Sequence, residues 1–384
     1  MSVLTDPAPD CNPISRDTYG EVEFLRRNRL KLIASLVITA GVLYTVEKGG
    51  LKLVPDGGDF SRVKWWAVAA YVPVVVTLQW FRSVRWRFLL RSLVEVPKVR
   101  LFAVSSVGMS AVLLLPFRLG ELVRPYMLRT PPDRRDHGEK TLTMTAATTS
   151  IIAERIFDGL FLSIVLAIVL VATPTIQPMP DHVIGLAISV AQVRGAGFAM
   201  LGLFAIGFVT IGVFYFARGW AHRVTHAVIG RFSPKLADKL AGFAEKLADG
   251  LHVFSRGRDA LGFLVETSLY WGLNAFGMWI LAIGCGITHG DGSYITFPET
   301  CACLGLLGCA VMVPGPPGML GLFQVGLYAA MTMYFPSAIV TGPGAAYVFL
   351  LYIAQFSVQM LLGGWGLWYE GGAQRLRSPF LRAS

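Results

Sequence analysis

The sequence predicts an all-α polytopic membrane protein with about six full spans and two broken, re-entrant helical hairpins, arranged as an inverted repeat. Three observations predict it: a large apolar excess, uncharged runs of bilayer length, and basic residues gathered between them on alternate sides. Across 384 residues the chain is 54% hydrophobic and 15% charged, whereas soluble domains carry about a quarter charged residues. With a mean hydropathy of +0.56 the polar side chains cannot cover the apolar mass in water, so lipid must meet it. A soluble enzyme is excluded on these grounds.

The first twenty residues are polar and interrupted by Pro7, Pro9 and Pro13. No small-residue cleavage site follows the first apolar run, so residues 1–29 read as a cytoplasmic tail and not as a signal peptide. Full spans are expected at Leu30–Val46, Trp65–Phe81, Leu142–Thr173, Gly197–Ala217, Leu261–Ile287 and Ala345–Trp368. Such runs approach the ~20 helical residues that cross a hydrocarbon core of about 30 Å. Two other apolar runs differ. Leu101–Pro116 leads into PFRLGELVRPYMLR, and Cys301–Pro314 leads into PGPPGMLGLFQVGLYAAM. Pro and Gly cut each at its midpoint, so each is expected to enter the membrane and leave on the same side.

Charge fixes the orientation. Arg26, Arg27, Arg29 and Lys31 precede the first span, and Arg82, Arg85, Arg87, Arg91, Lys98 and Arg100 follow the second. Arg129, Arg134, Arg135 and Lys140 follow the first hairpin. Further clusters are Arg223, Arg231, Lys235, Lys239 and Lys246 after the fourth span, and Arg375, Arg377 and Arg382 in the basic tail 369–384. The stretch Pro174–Pro180 has no Lys or Arg. Placing every basic cluster in the cytoplasm gives a multi-pass protein of the cell (inner, cytoplasmic) membrane with both termini inside. The membrane domain, 30–368, then divides into halves 30–173 and 197–368, one starting in the cytoplasm and the other outside. Convincing residue-level identity between the halves is absent, so the repeat rests on hydropathy and charge order.

Between the halves, 234–254 places Leu236, Leu240, Phe243, Leu247 and Leu251 on one helical stripe. An amphipathic linker helix on the cytoplasmic bilayer surface is favoured over a partner-binding element. The formal charge of +10 has no nucleic-acid motif beside it and is read as orientation signal. Cys11 lies in the tail, while Cys285, Cys301, Cys303 and Cys309 sit in apolar sequence without zinc or redox spacing. His222 and His226 are one turn apart but lack further ligands, which favours an interfacial helix face over a metal site. No metal, no cofactor and no GxxxxGK[ST] phosphate loop are read from the chain.

Ionisable side chains at bilayer depth cost about 2.5–3.5 kcal/mol each on insertion scales, and this chain concentrates six. Arg118, Glu121 and Arg124 fall at the tip of the first hairpin, and Glu154, Arg155 and Asp158 fall in the long helix that follows. Three cations facing three anions permit complete pairing, a structural lock. The alternative leaves one or more arginines free to grip an anionic group, with Glu154 and Asp158 orienting them or exchanging protons. Arg82, Arg85 and Arg87 are already explained as orientation markers, and an entrance role is secondary. At the second hairpin, Pro314, Gly315, Pro316, Pro317, Gly318 and Gly321 form a breaker run followed by Gln324. It serves either a substrate path or a tightly packed turn, and the two weigh evenly.

PFRLGELVRPYMLR, AERIFDGL and VPGPPGMLGLFQVGL, in that order, resemble the lysylphosphatidylglycerol synthase transmembrane-region family, which includes the flippase half of the bacterial multiple peptide resistance factor. The likeness spans roughly Leu30 to Trp368. It implies a flippase-like domain that moves a lipid with a polar or anionic head group between leaflets: a phospholipid, a hopanoid or a polyprenyl-linked sugar. The family's signature arginines and acids would fall on Arg118, Glu121, Arg124, Glu154, Arg155 and Asp158, and its Pro-Gly turn on Pro314 to Gly321, with Gly315 and Gly318 inside it. An acidic residue is often found where Gln324 stands, which puts a proton role there in doubt. Two-domain members carry an aminoacyl transferase after the membrane part, but this chain ends shortly after its last span, so synthase activity is expected to be absent. Membrane lipids, and envelope lipid-synthesis enzymes, are the partners this implies. A membrane-embedded enzyme using Glu154 as acid or base, or a scaffold in envelope glycolipid synthesis, stays open as the alternative.

Overall fold

The computed structural model describes residues 54–91, 93–129, 142–177, 180, 182–183, 189–231, 233–251, 257–312 and 315–377, with Gly41 and Tyr44. The expected first span lies outside them except for those last two residues, both helical. The tail 1–29 also lies outside, as does most of the loop bearing Arg134, Arg135 and Lys140.

Among the described residues the regular structure is helical, with twelve α-helices and two isolated β-bridges. In chain order they are α1 (Trp65–Leu90), α2 (Lys98–Leu114), α3 (Val123–Leu128), α4 (Met144–Ala172), α5 (Val190–Phe216) and α6 (Arg218–Val228). Then come α7 (Pro234–Leu251), α8 (Gly257–Gly284), α9 (Phe297–Met312), α10 (Leu322–Thr332), α11 (Ser337–Thr341) and α12 (Pro343–Arg377).

Among the described residues four helices are long and apolar enough to cross a membrane: α1, α4, α5, and α12 over Pro343–Gly372. At 28 residues α8 matches them in length, but Glu266, Thr267 and Asn274 dilute its hydropathy, and it falls outside that group. The boundaries follow local chemistry. Thr143 caps α4 by accepting from the Ala146 amide at 3.2 Å, and the helix ends ahead of Pro174. α5 starts at Val190, ahead of the expected Gly197, because Ser189 and Gln192 form a reciprocal capping box. α12 continues past Trp368 to Arg377, and the Glu370 carboxylate on the added turns accepts from Arg100 Nε at 3.1 Å.

Both interrupted segments are broken where the prolines demanded. α2 stops at Leu114, a 3-10 turn runs over Pro116–Leu122, and α3 follows. α9 stops at Met312, a short turn covers Pro317–Met319, and α10 follows. Pro314 lies outside the described residues. The chain folds back tightly at Gly120, where a Cβ would sit 2.1 Å from the backbone carbon of Ala111. The two turns share the pattern Pro-x-x-Leu-Gly, at Pro116 to Gly120 and Pro317 to Gly321. Each places its third residue in the left-handed region, Arg118 at φ 58° and Met319 at φ 54°, the non-glycine residues with positive φ among those described.

α1 packs along α8, α2 along α12, and α4 along α5 and α9, and the two hairpin turns touch each other. One apolar core runs through α1, α4, α8, α9, α10 and α12, with Tyr71, Leu166, Leu281, Leu306, Leu327 and Leu351 buried in it. A second core, around Trp86, Leu101, Ile151 and Phe263, closes the far end of α1. The expected amphipathic helix forms at Pro234–Leu251, and its leucines at 236 and 240 stand away from the rest of the protein. Ala237, Ala241 and Ala244 face the protein, while Leu236 and Leu240 are exposed. Alanine lets the helix approach closely, which leaves the leucines to meet lipid.

Gly120→Ala is expected to destabilise the protein by about 1–3 kcal/mol, the cost of forcing atoms into a packed site. Gly202→Ala, whose added carbon meets open space, should leave the melting temperature in detergent unchanged, and the pair can be compared by thermal denaturation.

Candidate functional site

Glu154 and Asp158 lie one helical turn apart on α4 and face α1 and α8. Between them sits Arg85 of α1, fully buried. Its Nη1 donates to Asp158 Oδ1 at 2.6 Å and to Thr267 Oγ1 at 3.4 Å. Its Nη2 donates to Asp158 Oδ2 at 2.5 Å and to Glu154 Oε1 at 3.0 Å. The planar fork thus spans both carboxylates, which an ammonium could not do. The Tyr270 ring centroid lies 4.8 Å from the guanidinium carbon and that of Phe263 at 5.9 Å, so aromatic faces close the remaining space around the cation.

Two further arginines complete the shell. Both Nη atoms of Arg124 approach Glu154 Oε2 at 3.4 Å, and its guanidinium lies 4.3 Å from the Trp86 ring, whose Nε1 donates to Ser150 Oγ at 2.9 Å. Gly108 makes room for it, because a Cβ there would lie 2.3 Å from Arg124 Cγ. Arg155 Nη2 donates to Glu154 Oε1 at 2.9 Å, and its Nη1 lies 3.5 Å from Asp158 Oδ2. Trp271 Nε1 donates to Asp158 Oδ1 at 3.1 Å. Every oxygen of Glu154 and Asp158 is therefore engaged.

Arg118 stands apart from this shell. Its Nη2 pairs with Glu121 Oε1 at 3.0 Å, and its Nη1 donates to the Val311 carbonyl at 3.1 Å, near the end of α9. That bond ties the first turn to the second hairpin.

A cavity of ≈ 180 Å³ opens beside these groups, walled by α1, α2, the first turn, α4, α8, α9, the second turn, α10 and α12. Arg82, Arg118 and Arg155 line one part, Gln79, Asn274, Gln355 and Gln359 supply amides, and the rest is apolar. A smaller space of ≈ 70 Å³ adjoins it through shared Arg118, Arg155 and Trp271 and reaches Asp158. A larger opening of ≈ 850 Å³ lies at the ends of α1, α2 and α8. Its Arg87 and Arg91 are already paired with Glu266 at 2.8 Å and Asp259 at 2.7 Å.

The sequence-derived residues therefore sort by place. Arg118 and Arg155 line the cavity, Asp158 reaches its extension, and Arg124 and Glu154 form the wall behind. Glu121 is spent on Arg118. In the second turn Gly318 lines the cavity and its carbonyl accepts from Tyr352 OH at 3.0 Å. Gln324 instead accepts from the Gly321 amide at 2.7 Å and caps α10, and Gly315 is buried in the turn. Sequence reasoning missed Arg85 as the centre of the network and Arg82 as a lining residue. The signal was present, since no Pro or Gly interrupts 81–90 and the helix had no reason to stop at Phe81. Inclusion of Arg85 also replaces three cations by four.

Among the described residues no three or more His, Cys, Asp and Glu side chains gather at one point. His222 and His226 lie 3.5 Å from Glu245 and 3.3 Å from Asp238 of α7, so they join the two amphipathic helices.

A family model described as the lysylphosphatidylglycerol synthase TM region matches residues 32–364, which contain the whole network and both central cavities. No match is found among curated proteins or solved structures.

Replacing Arg85 with Ala strands two carboxylates and should cost about 3–5 kcal/mol, as removal of one partner from a buried ion pair does. Arg85→Lys should recover only part of that loss. Size-exclusion profiles and melting temperatures in detergent would read both, and a wild-type melting temperature for Arg85→Ala would refute the central role.

Proposed function

The chain belongs to the lysylphosphatidylglycerol synthase TM-region family and is a membrane protein of lipid metabolism, and from that footing we propose that it is a flippase-like transporter carrying a lipid with a polar, anionic head group between the leaflets of the cell membrane. The observation that carries the proposal is the central cavity, where three guanidiniums converge among apolar walls between two broken hairpins. Guanidinium forks match phosphate oxygens and replace the water that a charged head group leaves behind.

In this reading the head group enters the cavity and is held by Arg82, Arg118 and Arg155, while the acyl chains stay in lipid. Arg85, Arg124, Glu154 and Asp158 hold the α4 wall in place. The Arg118 bond to the Val311 carbonyl joins the first turn to the end of α9 in the second hairpin, so it is the contact that opening toward either leaflet would stretch. The matching backbone of those turns supports an inverted repeat of halves 30–173 and 197–368, with re-entrant hairpins at equivalent places. Basic residues before the first span and in the tail support cytoplasmic termini in an inner membrane. Membrane lipids are the direct partners, delivered by enzymes of envelope lipid synthesis.

The competing enzyme reading needs a carboxylate able to accept or release a proton at the substrate. Glu154 and Asp158 already receive guanidinium or indole hydrogens at each oxygen, which favours transport.

In proteoliposomes with fluorescent phosphatidylglycerol, Arg118→Ala and Arg82→Gln should slow leaflet exchange at least about ten-fold, a loss of about 1.4 kcal/mol of head-group stabilisation. Wild-type exchange in both well-folded variants would sink the assignment.

A further inference from the structure

A second space lies away from the central cavity, where α5 meets the two amphipathic helices. Ile156 of α4, Gly207, Ile211 and Phe214 of α5, Ile229 just past α6 and Leu240 of α7 line a slot of ≈ 320 Å³. No charged or amide side chain takes part, and the Thr210 hydroxyl at its wall is spent on the Ile206 carbonyl at 2.8 Å. Such a space stays dry and accepts hydrocarbon. Gly207 and Phe214 stand two turns apart, so the slot runs roughly 10 Å along α5 at 1.5 Å per residue. Gly207 keeps it open, since a Cβ there meets nothing within 4 Å. The neighbouring Phe208 and Val209 are exposed on a helix long and apolar enough to cross the membrane, so the slot faces lipid tails.

Charge beside the slot decides which lipid. Asp238 and Glu245 of α7 are taken within the helix pair: Glu245 lies 3.5 Å from both Arg218 and His222, and Asp238 lies 3.3 Å from His226. Arg223, Arg231, Lys235 and Lys239 are exposed, and among the described residues none of them reaches an acid. Lys235 and Lys239 are one turn apart, each one residue ahead of the exposed Leu236 and Leu240. Unpaired cations on interfacial helices above an apolar slot fit a phospholipid whose head group is negative.

We infer that this slot is a binding site for an anionic phospholipid of the adjoining leaflet, with one acyl chain between α5 and the amphipathic pair and the head group held by the unpaired cations around α6 and α7. The chain packs on Ile156, which stands between Glu154 and Asp158 on α4, so a resident lipid braces the helix that carries the buried network. The site is separate from the transport reading and does not depend on it.

The test is photolabelling of the full chain in dioleoylphosphatidylcholine vesicles doped with phosphatidylglycerol that carries a diazirine at the end of one acyl chain, with labelled peptides mapped by mass spectrometry. Peptides holding Ile211, Phe214 or Leu240 should take about ten-fold more label from this probe than from the matching phosphatidylcholine. Gly207→Leu and Thr210→Phe each fill the slot, and whichever keeps the wild-type melting temperature should lose most of that label. Lys235→Gln combined with Lys239→Gln should bring the two head groups to parity. Arg118→Ala, in the central cavity, should label these peptides as the wild type does. Equal labelling by the two head groups in the wild type overturns the inference, as does unchanged labelling in the slot-filling variant. A disulfide-linked dimer of Leu240→Cys in the same vesicles, with the slot unlabelled, would assign it to a second copy of the chain.

Discussion

Arg85, enclosed between Glu154 and Asp158 with no water to share its charge, is the constraint on which the remaining architecture depends. Burying a guanidinium and two carboxylates is tolerated only when the charges are paired, and here both Nη atoms of Arg85 and all four carboxylate oxygens have partners while its Nε has none. That requirement sets the rotation of α4 against α1 and brings Thr267, Tyr270 and Trp271 of α8 onto the same point. Arg124 and Arg155 then complete the acids from the hairpin side and along α4. Five arginines, Arg82, Arg85, Arg118, Arg124 and Arg155, stand against the three acids Glu121, Glu154 and Asp158, so the lining arginines keep charge to offer a ligand.

Broken helices give the proposed transport its setting. An intact helix satisfies its own backbone and presents a closed cylinder, whereas a proline-interrupted one frees carbonyls and brings loop side chains to mid-fold. Arg118 uses this twice, reaching the Val311 carbonyl of the opposite hairpin while lining the cavity. Tyr352 does the corresponding work for the second turn by donating to the Gly318 carbonyl.

Much of the helical plan was legible because apolar length and proline position act locally. The breaks at Pro116 and in the Pro-Gly run stand where the residues required, and Trp65, Met144 and Pro343 open helices near the expected starts. What escaped depends on rotation and on partners distant in sequence. Arg85 resembled its neighbours Arg82 and Arg87 as an orientation marker, and only the approach of α4 distinguishes a buried arginine from an exposed one. The leucine stripe of α7 was legible from its spacing, but not that Ala237, Ala241 and Ala244 would be the residues that face the protein. Gln324 stood at a suggestive place in a motif, but its carbonyl was needed to cap a helix that begins after a break. The likeness of the two turns was invisible to hydropathy because it resides in backbone angles and one short pattern.

That likeness is incomplete in a way that matters. Arg118 and Met319 occupy the same left-handed corner of two turns that share one short pattern, so the local backbones match while their electrostatics differ. A negatively charged traveller would find a landing post at one corner and only a thioether at the other. On the transport reading such a traveller would rest nearer the Arg118 corner, without any preference in the direction of its passage.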